Sequence, residues 1–110
     1  MSNHVELASA AQRDLHRLGP GPQRERILEA LVRGLAATPQ PANLDAKPIV
    51  GASPWLRLRV GDYRVLYRPL TPAELAAIAQ GSEAREVIGG FLVHRIIRRR
   101  DLDRAVETLP

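Results

Sequence analysis

The chain contains no cysteine, so it can form neither a disulfide nor a thiolate metal site, and it offers no thiol nucleophile. No apolar run reaches the ~18 residues that a membrane span requires, and no basic-then-apolar leader opens the chain. Histidine occurs only at His4, His16 and His94, which is too scattered to predict a metal cluster. We therefore expect a soluble, cytoplasmic protein with no metal ion and no contact with a membrane.

Lysine is nearly missing as well, because Lys47 is the one lysine among sixteen basic residues and all the others are arginines. The arginines are concentrated in two segments. Residues 55–68 carry four arginines against one aspartate, and residues 94–104 carry five against two. Between them, residues 69–93 carry one arginine against three glutamates. This uneven distribution, more than the net charge of +4, predicts a polyanionic partner.

The alternation of residues 55–68 predicts two short strands around a tight turn at Gly61-Asp62. One face of this hairpin carries Leu56, Leu58, Val60, Tyr63, Val65 and Tyr67. The other face carries Trp55, Arg57, Arg59, Arg64, Leu66 and Arg68. The turn places Arg59 opposite Arg64, and like charges in that position destabilise a ladder by about a few tenths of a kcal/mol. An anion bound between them would reverse the sign of that contribution.

The first third of the chain predicts a strand and two helices. A short strand at 4–8 leads through Ser9, a plausible N-cap, into a helix that ends at Leu18. A second helix is expected from Pro22, which suits a first helical position, to about Ala37. Only a short break separates the two helices, so we expect them to form an antiparallel pair that covers one face of a sheet.

The remainder predicts mainly strands. Four prolines in the connector 38–54 argue against regular structure there. The insert 70–86 is expected to hold a short helical turn at 72–79 and to be mobile. Residues 87–97 form the most apolar strand, central in the sheet or next to the centre, and residues 101–109 a terminal helix. The expected fold is therefore α+β, with two N-terminal helices packed on a mostly antiparallel sheet of about four strands and a short C-terminal helix.

At this level of detail the chain resembles the RelE/ParE superfamily of bacterial type II toxin–antitoxin toxins. Residues 5–18 resemble the opening strand and first helix, and residues 23–31 resemble the second helix. Residues 56–67 are the most specific match, to the signature hairpin, and residues 98–102 resemble the closing basic motif. The resemblance implies one microbial-ribonuclease-like domain that spans residues 1–110.

The resemblance implies two kinds of activity. RelE-like members cut mRNA in the ribosomal A site by attack of the 2′-hydroxyl on the scissile phosphate, without metal or cofactor. ParE-like members poison DNA gyrase and cut no RNA. Our first hypothesis is a ribosome-dependent mRNA endoribonuclease, and the alternatives are a gyrase inhibitor and a non-toxic relative that only binds antitoxin. A cognate antitoxin is the expected partner in all three.

Site residues follow from the same resemblance. Arg64 matches the arginine that contacts the scissile phosphate, Arg99 matches a second phosphate clamp, and Arg57 occupies a catalytic basic position. Such cations stabilise developing negative charge. The residues expected to bind RNA are Lys47, Trp55, Arg59, Arg68 and Arg98. The chain departs from the ribonuclease pattern at Asp103, where a tyrosine is usual, and at Ile97-Arg98, where Gly-His or Gly-Lys is usual. No proton donor is therefore evident.

Simpler interpretations remain open for several of these residues. The arginine face is also compatible with a solvated outer surface, and Trp55 with a hydrophobic anchor. Tyr63 and Tyr67 belong on the apolar face and are expected in the core, and His94 is expected to be structural. Because the side chain of Arg64 is predicted to point away from the core, its replacement by alanine is expected to leave the fold intact.

Overall fold

The computed structural model describes residues 3–81 and 89–110. The chain opens with one strand and two helices, continues with three strands and a helix, and ends with a strand and a short helix. The strands are β1 (His4–Leu7), β2 (Ala46–Pro48), β3 (Leu56–Val60), β4 (Tyr63–Pro69) and β5 (Gly90–Arg98). The helices are α1 (Ser9–Leu18), α2 (Pro22–Glu29), α3 (Pro72–Gly81) and α4 (Leu102–Glu107). In addition, α2 continues as a π-helical turn at Ala30–Leu35, and a 3-10 turn at Arg99–Asp101 precedes α4.

The strands form one sheet in the order β1-β5-β4-β3-β2. The pairs β2–β3, β3–β4 and β4–β5 are antiparallel, and β1–β5 is parallel. The predicted α+β class and the mostly antiparallel sheet are confirmed. The apolar strand β5 lies next to the central strand β4, as its composition predicts.

The helices α1 and α2 cover one face of the sheet, which we call the helix face, and the core lies between them and the sheet. Ala11 and Leu15 of α1 meet Ile27 of α2 there, with Leu31 and Leu35 of the π-helical turn. The sheet contributes Leu58, Tyr63, Val65, Tyr67, Val93 and Ile96. Both tyrosines are thus core residues, as expected from the hairpin pattern.

The register of the β3–β4 hairpin is the predicted one, with Val60 opposite Tyr63 and Arg59 opposite Arg64. Gly61 has a φ of +58°, a conformation that glycine adopts without the steric cost of a side chain. The turn at Gly61-Asp62 therefore fixes which residues face the core, because a slip of one residue would reverse the two faces.

The opposite face of the sheet, which we call the outer face, has a small apolar cluster of its own. Leu66 of β4 and Ile97 of β5 are buried there beneath Ala105 of α4. The cluster also includes Ile49, Leu102 and Leu109. The outer face is therefore only partly free, because α4 covers its middle.

An irregularity in β5 decides which of its residues share a face. Leu66 pairs with Arg95 and Tyr67 pairs with Val93, which leaves His94 as an extra residue, a β-bulge. Beyond the bulge, Ile96 lies on the helix face and Ile97 on the outer face. Arg98 pairs with Tyr63 and so also lies on the helix face.

Three details of the N-terminal half differ from the expectations. The sheet has five strands because part of the connector forms β2, where Pro48 ends an edge strand and needs no ladder donor. The N-cap of α1 is Ala8, whose backbone N–H still donates to Val93 in extended conformation. The second helix ends at Leu35 as a π-helical turn.

The later elements agree with the expectations where the structure describes them. The predicted turn at 72–79 is the longer helix α3, and the terminal helix occupies Leu102–Glu107. The expected mobility of 70–86 stays a prediction, and residues 82–86 of that insert, like the expected start of the apolar strand at 87, lie outside the described residues. Within the described ranges, no helix is long and apolar enough to cross a membrane.

Candidate functional site

Arg64 is the one buried charged residue in the described ranges, with 8% of its surface exposed. Its side chain leaves β4 on the outer face and turns back toward the hairpin turn. The Nη1 atom donates hydrogen bonds to the carbonyl oxygens of Gly61, at 3.1 Å, and Tyr63, at 3.0 Å. Arg64 therefore holds the turn together as well as presenting a charge, which sequence reasoning did not anticipate.

The pKa of Arg64 is lowered, first by burial and then by the charges of Arg59, Arg57 and Arg99. Asp45 acts in the opposite direction and more weakly. Three cations thus lie close enough to repel the Arg64 guanidinium. We call Arg57, Arg59, Arg64 and Arg99 the arginine cluster, and it brings together the three predicted catalytic arginines and one predicted RNA-binding residue.

Asp45 is the acidic member of this surface and was not predicted from the sequence. Its carboxylate accepts a hydrogen bond from Nη1 of Arg57 at 3.2 Å and lies 4.0 Å from Nη1 of Arg59. The short strand β2 places it there, since the Asp45 carbonyl also accepts the backbone N–H of Arg59. Lys47 lies opposite Arg57 in the ladder and is exposed. Two of the four cluster arginines are therefore partly neutralised.

Arg99 reaches the cluster from the 3-10 turn that follows β5. Its backbone N–H donates to the carbonyl of Asp62 at 2.8 Å, which ties this turn to the hairpin. The residue itself is exposed. The main chain thus holds Arg99 at the hairpin end of the sheet.

Arg68 and Trp55 lie at the other end of the outer face. Arg68 forms a bidentate ion pair with Glu74 of α3, with N–O distances of 2.7 and 3.1 Å. Trp55 is buried, its ring centroid lies 5.3 Å from that of His94, and Arg68 stands 5.8 Å above it. Trp55 therefore serves as a hydrophobic anchor in this structure. That it also stacks on an RNA base stays a prediction, and its burial argues against it.

Arg98 lies apart from both groups. Its guanidinium carbon stands 5.4 Å from the ring centroid of Tyr63 on the helix face, and its Nη1 lies 3.7 Å from Asp62. The structure therefore divides the eight predicted site residues among three places. The cluster with Lys47 occupies one, Trp55 with Arg68 the second, and Arg98 the third.

In the part of the chain that the structure describes, no histidine lies at the cluster, and Lys47 beside Arg57 is exposed. The charged groups that perturb Arg64 are three arginines and Asp45. His94 lies beside Trp55 at the far end, and burial is the main cause that lowers its pKa. Asp103 is exposed on α4. The arrangement can bind an anion and stabilise negative charge, but it shows no general acid or base in place.

The structure is thus an α+β domain with arginines clustered at the β3–β4 hairpin, as the resemblance to the RelE/ParE superfamily implies. The family model described as "ParE toxin of type II toxin-antitoxin system, parDE" matches residues 5–85. This chain belongs to that family, within the RelE/ParE superfamily, and is the toxin of a type II toxin–antitoxin system. The resemblance drawn from the sequence is confirmed.

Solved structures support the same fold. A chain of the RelB-RelE antitoxin-toxin complex from Methanococcus jannaschii superposes with a TM-score of 0.56 at 20% sequence identity. The match covers 92% of the present chain and 98% of the archaeal one. No curated protein sequence matches the chain. At this identity the similarity extends to the fold and not to the activity.

Proposed function

We propose that this toxin inhibits DNA gyrase by binding it and that it does not cleave RNA. The observation that carries the proposal is the composition of the arginine cluster. In the residues that the structure describes, the charged groups that shift the pKa of Arg64 are three arginines and Asp45, and Arg57 already binds that aspartate. The membership of the ParE toxin family adds to this support.

The chemical argument concerns proton transfer. Attack by a 2′-hydroxyl requires a group that removes its proton and a group that protonates the leaving oxygen, and such groups contribute about 10²–10⁴-fold to a rate. Arginine stays protonated at neutral pH and serves neither role well. Asp45 is engaged with Arg57 at 3.2 Å, so its carboxylate is poorly placed to accept a substrate proton.

The ribonuclease hypothesis remains the second candidate, because one observation favours it. Arg64 is buried, its orientation is fixed by two hydrogen bonds, and further cations surround it. Preorganised positive charge of this kind stabilises a phosphorane-like transition state even without an acid or base. Arg64, Arg99 and Arg57 would then hold the scissile phosphate of ribosome-bound mRNA.

We also propose that a cognate antitoxin neutralises the toxin in the cytoplasm, with an acidic segment that covers the arginine cluster. The excess of positive charge and the similarity in fold to a chain of a RelB-RelE antitoxin-toxin complex support this partner. Since several arginines would be desolvated together, we expect tight binding that weakens as salt is added.

The decisive experiment combines two assays of one purified toxin. Supercoiling by gyrase should be inhibited, and covalently trapped, cleaved DNA should accumulate. Primer extension on mRNA from cells that express the toxin should show no toxin-dependent ends. Cuts in phase with codons would overturn the proposal in favour of the ribonuclease.

Two controls make the result specific. Toxin premixed with its antitoxin should leave supercoiling intact. The variant Arg33→Gln changes an exposed arginine of the π-helical turn, away from the cluster, and should inhibit gyrase as the parent does. If neither gyrase nor mRNA responds to the parent toxin and growth is normal, the proposal fails, and a relative that only binds antitoxin is the better description.

A further inference from the structure

A second basic site lies at the end of β5, in a cavity of about 290 Å³. Four arginines from three elements of the fold line it together with Tyr63. They are Arg17 of α1, Arg95 and Arg98 of β5, and Arg100 of the 3-10 turn. None of these four belongs to the arginine cluster that surrounds Arg64.

One of the four arginines is already neutralised inside the protein. Arg95 makes a bidentate ion pair with Asp14 of α1, with N–O distances of 2.8 and 3.1 Å. The Asp14 carboxylate also accepts the backbone N–H of Ile96 at 2.9 Å, and its side chain is only 6% exposed. This aspartate is therefore saturated and contributes little negative charge to the cavity.

The other three arginines keep their donors available. Arg17 lies 3.9 Å from Asp14, and Arg98 lies 3.7 Å from Asp62, distances too long for hydrogen bonds. Arg100 is exposed and makes no ion pair with any residue in the described ranges. Such long, exposed pairs contribute little to stability, on the order of 0–1 kcal/mol. By contrast Arg57, Arg64 and Arg68 all donate hydrogen bonds to the protein.

We propose that this cavity binds phosphate groups of a nucleic-acid backbone. In the two bidentate pairs of this protein, Arg95 with Asp14 and Arg68 with Glu74, one guanidinium makes all the side-chain hydrogen bonds to the carboxylate. The guanidiniums of Arg17, Arg98 and Arg100 can together bind more negative charge than one carboxylate carries. They therefore suit the closely spaced phosphates of a nucleic-acid strand. Asp101 also lines the cavity, and its single charge leaves the excess positive.

The ring of Tyr63 makes the site partly preorganised. The guanidinium of Arg98 stands over this ring with its carbon 5.4 Å from the centroid, an arrangement with cation–π attraction. Tyr63 is itself a buried core residue, so the platform is rigid. Less side-chain entropy is then lost when Arg98 binds a phosphate.

This inference goes beyond gyrase inhibition because it gives the toxin a direct contact with nucleic acid. Its arginines differ from those around Arg64, since Arg98 pairs with Tyr63 on the helix face while Arg64 lies on the outer face. Gyrase acts on DNA and the ribosome holds mRNA, so the test compares both kinds of strand.

The test uses the double variant Arg98→Gln/Arg100→Gln of the whole toxin. The control, Arg13→Gln/Arg33→Gln, loses the same charge from two exposed helical positions outside the cavity. Binding of a labelled short DNA duplex, and of a labelled single-stranded RNA, is followed by fluorescence anisotropy over a range of salt. The dependence of log K on log salt should become shallower by about 1.8 for the duplex, or by about 1.4 for the single strand. The control should change it far less.

Each outcome decides the matter. Equal losses in the two double variants would overturn the site, because charge alone would then explain binding. Unchanged nucleic-acid binding combined with weaker binding of purified antitoxin would also overturn it, since the cavity would then be a contact for protein carboxylates. If the first variant is unstable, Arg17→Gln/Arg100→Gln leaves Arg98 on Tyr63 and should give the same loss.

Discussion

Arg59 stands directly opposite Arg64 in the β3–β4 ladder, so two guanidiniums of like charge share the non-core side of one hairpin. They are treated differently by the fold. Arg64 is buried and bonded to two carbonyls of the turn, whereas Arg59 is exposed and lies 4.0 Å from Asp45. Arg64 therefore supports the hairpin turn, whereas Arg59 mainly adds positive charge to the surface.

Replacement of Arg64 by alanine should lower the free energy of unfolding by about 1–2 kcal/mol, because the Gly61 and Tyr63 carbonyls lose a charged donor. The sequence alone suggested that this change would leave the fold intact. Urea unfolding of parent and variant measures the difference. Arg33→Gln serves as the control, and a loss no larger than that of the control would mean that these two hydrogen bonds contribute nothing.

The variant Arg59→Gln should act in the opposite direction on stability. Removing one of two opposed like charges should raise the free energy of unfolding by about 0.2–0.5 kcal/mol in low salt. Its weak pair with Asp45 does not offset this, since Arg57 still binds that carboxylate at 3.2 Å. The gain should shrink near 1 M salt because the repulsion is screened. A destabilised variant would show that the pair with Asp45 outweighs the repulsion.

Asp14→Asn should be the most damaging single change among these. It removes the charge that holds Arg95 and weakens the acceptor for the Ile96 amide, in a side chain only 6% exposed. Breaking a buried ion pair costs about 3–5 kcal/mol, and the partial exposure of Arg95 places this one at the lower end. Thermal or urea unfolding gives the value. Arg17→Gln, whose partner is the same carboxylate, should change stability by less than about 0.5 kcal/mol.

The stability that the ion pair between Arg68 and Glu74 of α3 contributes should fall as the pH is lowered. The ion pair with Arg68, aided by the Thr71 amide, lowers the pKa of Glu74 from 4.5 to about 2. Because the folded-state pKa is depressed, the pair stabilises the protein fully above pH 4.5 and loses its effect as pH falls toward about 2.

A comparison of the parent with Glu74→Gln tests this dependence. The parent should be more stable near neutral pH, and the gap between the two free energies of unfolding should narrow below pH 4.5. The matched control is Glu29→Gln, which changes an exposed glutamate of α2. The difference in free energy of unfolding between parent and this control should not narrow in the same way below pH 4.5. A gap that stays constant with pH would contradict the role assigned to the pair.

The hairpin was fully predictable because two local signals agree, the period of two and the turn at Gly61-Asp62. β2 was not, since a strand of three residues that ends in Pro48 leaves no periodic pattern. Asp45 was missed for the same reason. The pair of Asp14 and Arg95 joins residues 81 positions apart, and no local pattern indicates such a contact.

The separation of Arg98 from the hairpin arginines could not be predicted for a different reason. Its side is determined by the bulge at His94, and a bulge cannot be located from alternation in a strand as apolar as β5. Which arginines bond to the protein and which remain available depends on tertiary contacts, and the pattern of the sequence does not show it.

The bulge has a consequence for how this chain tolerates insertions and deletions. Loss of His94 would remove the extra residue and leave Arg95 to Arg98 opposite their present partners in β4, so Arg98 would stay on the helix face. Loss of a paired residue such as Ile96 would instead move Arg98 to the outer face, because strand residues alternate with a period of two. The strand therefore absorbs a deletion at the bulge and at no position between the bulge and Arg98.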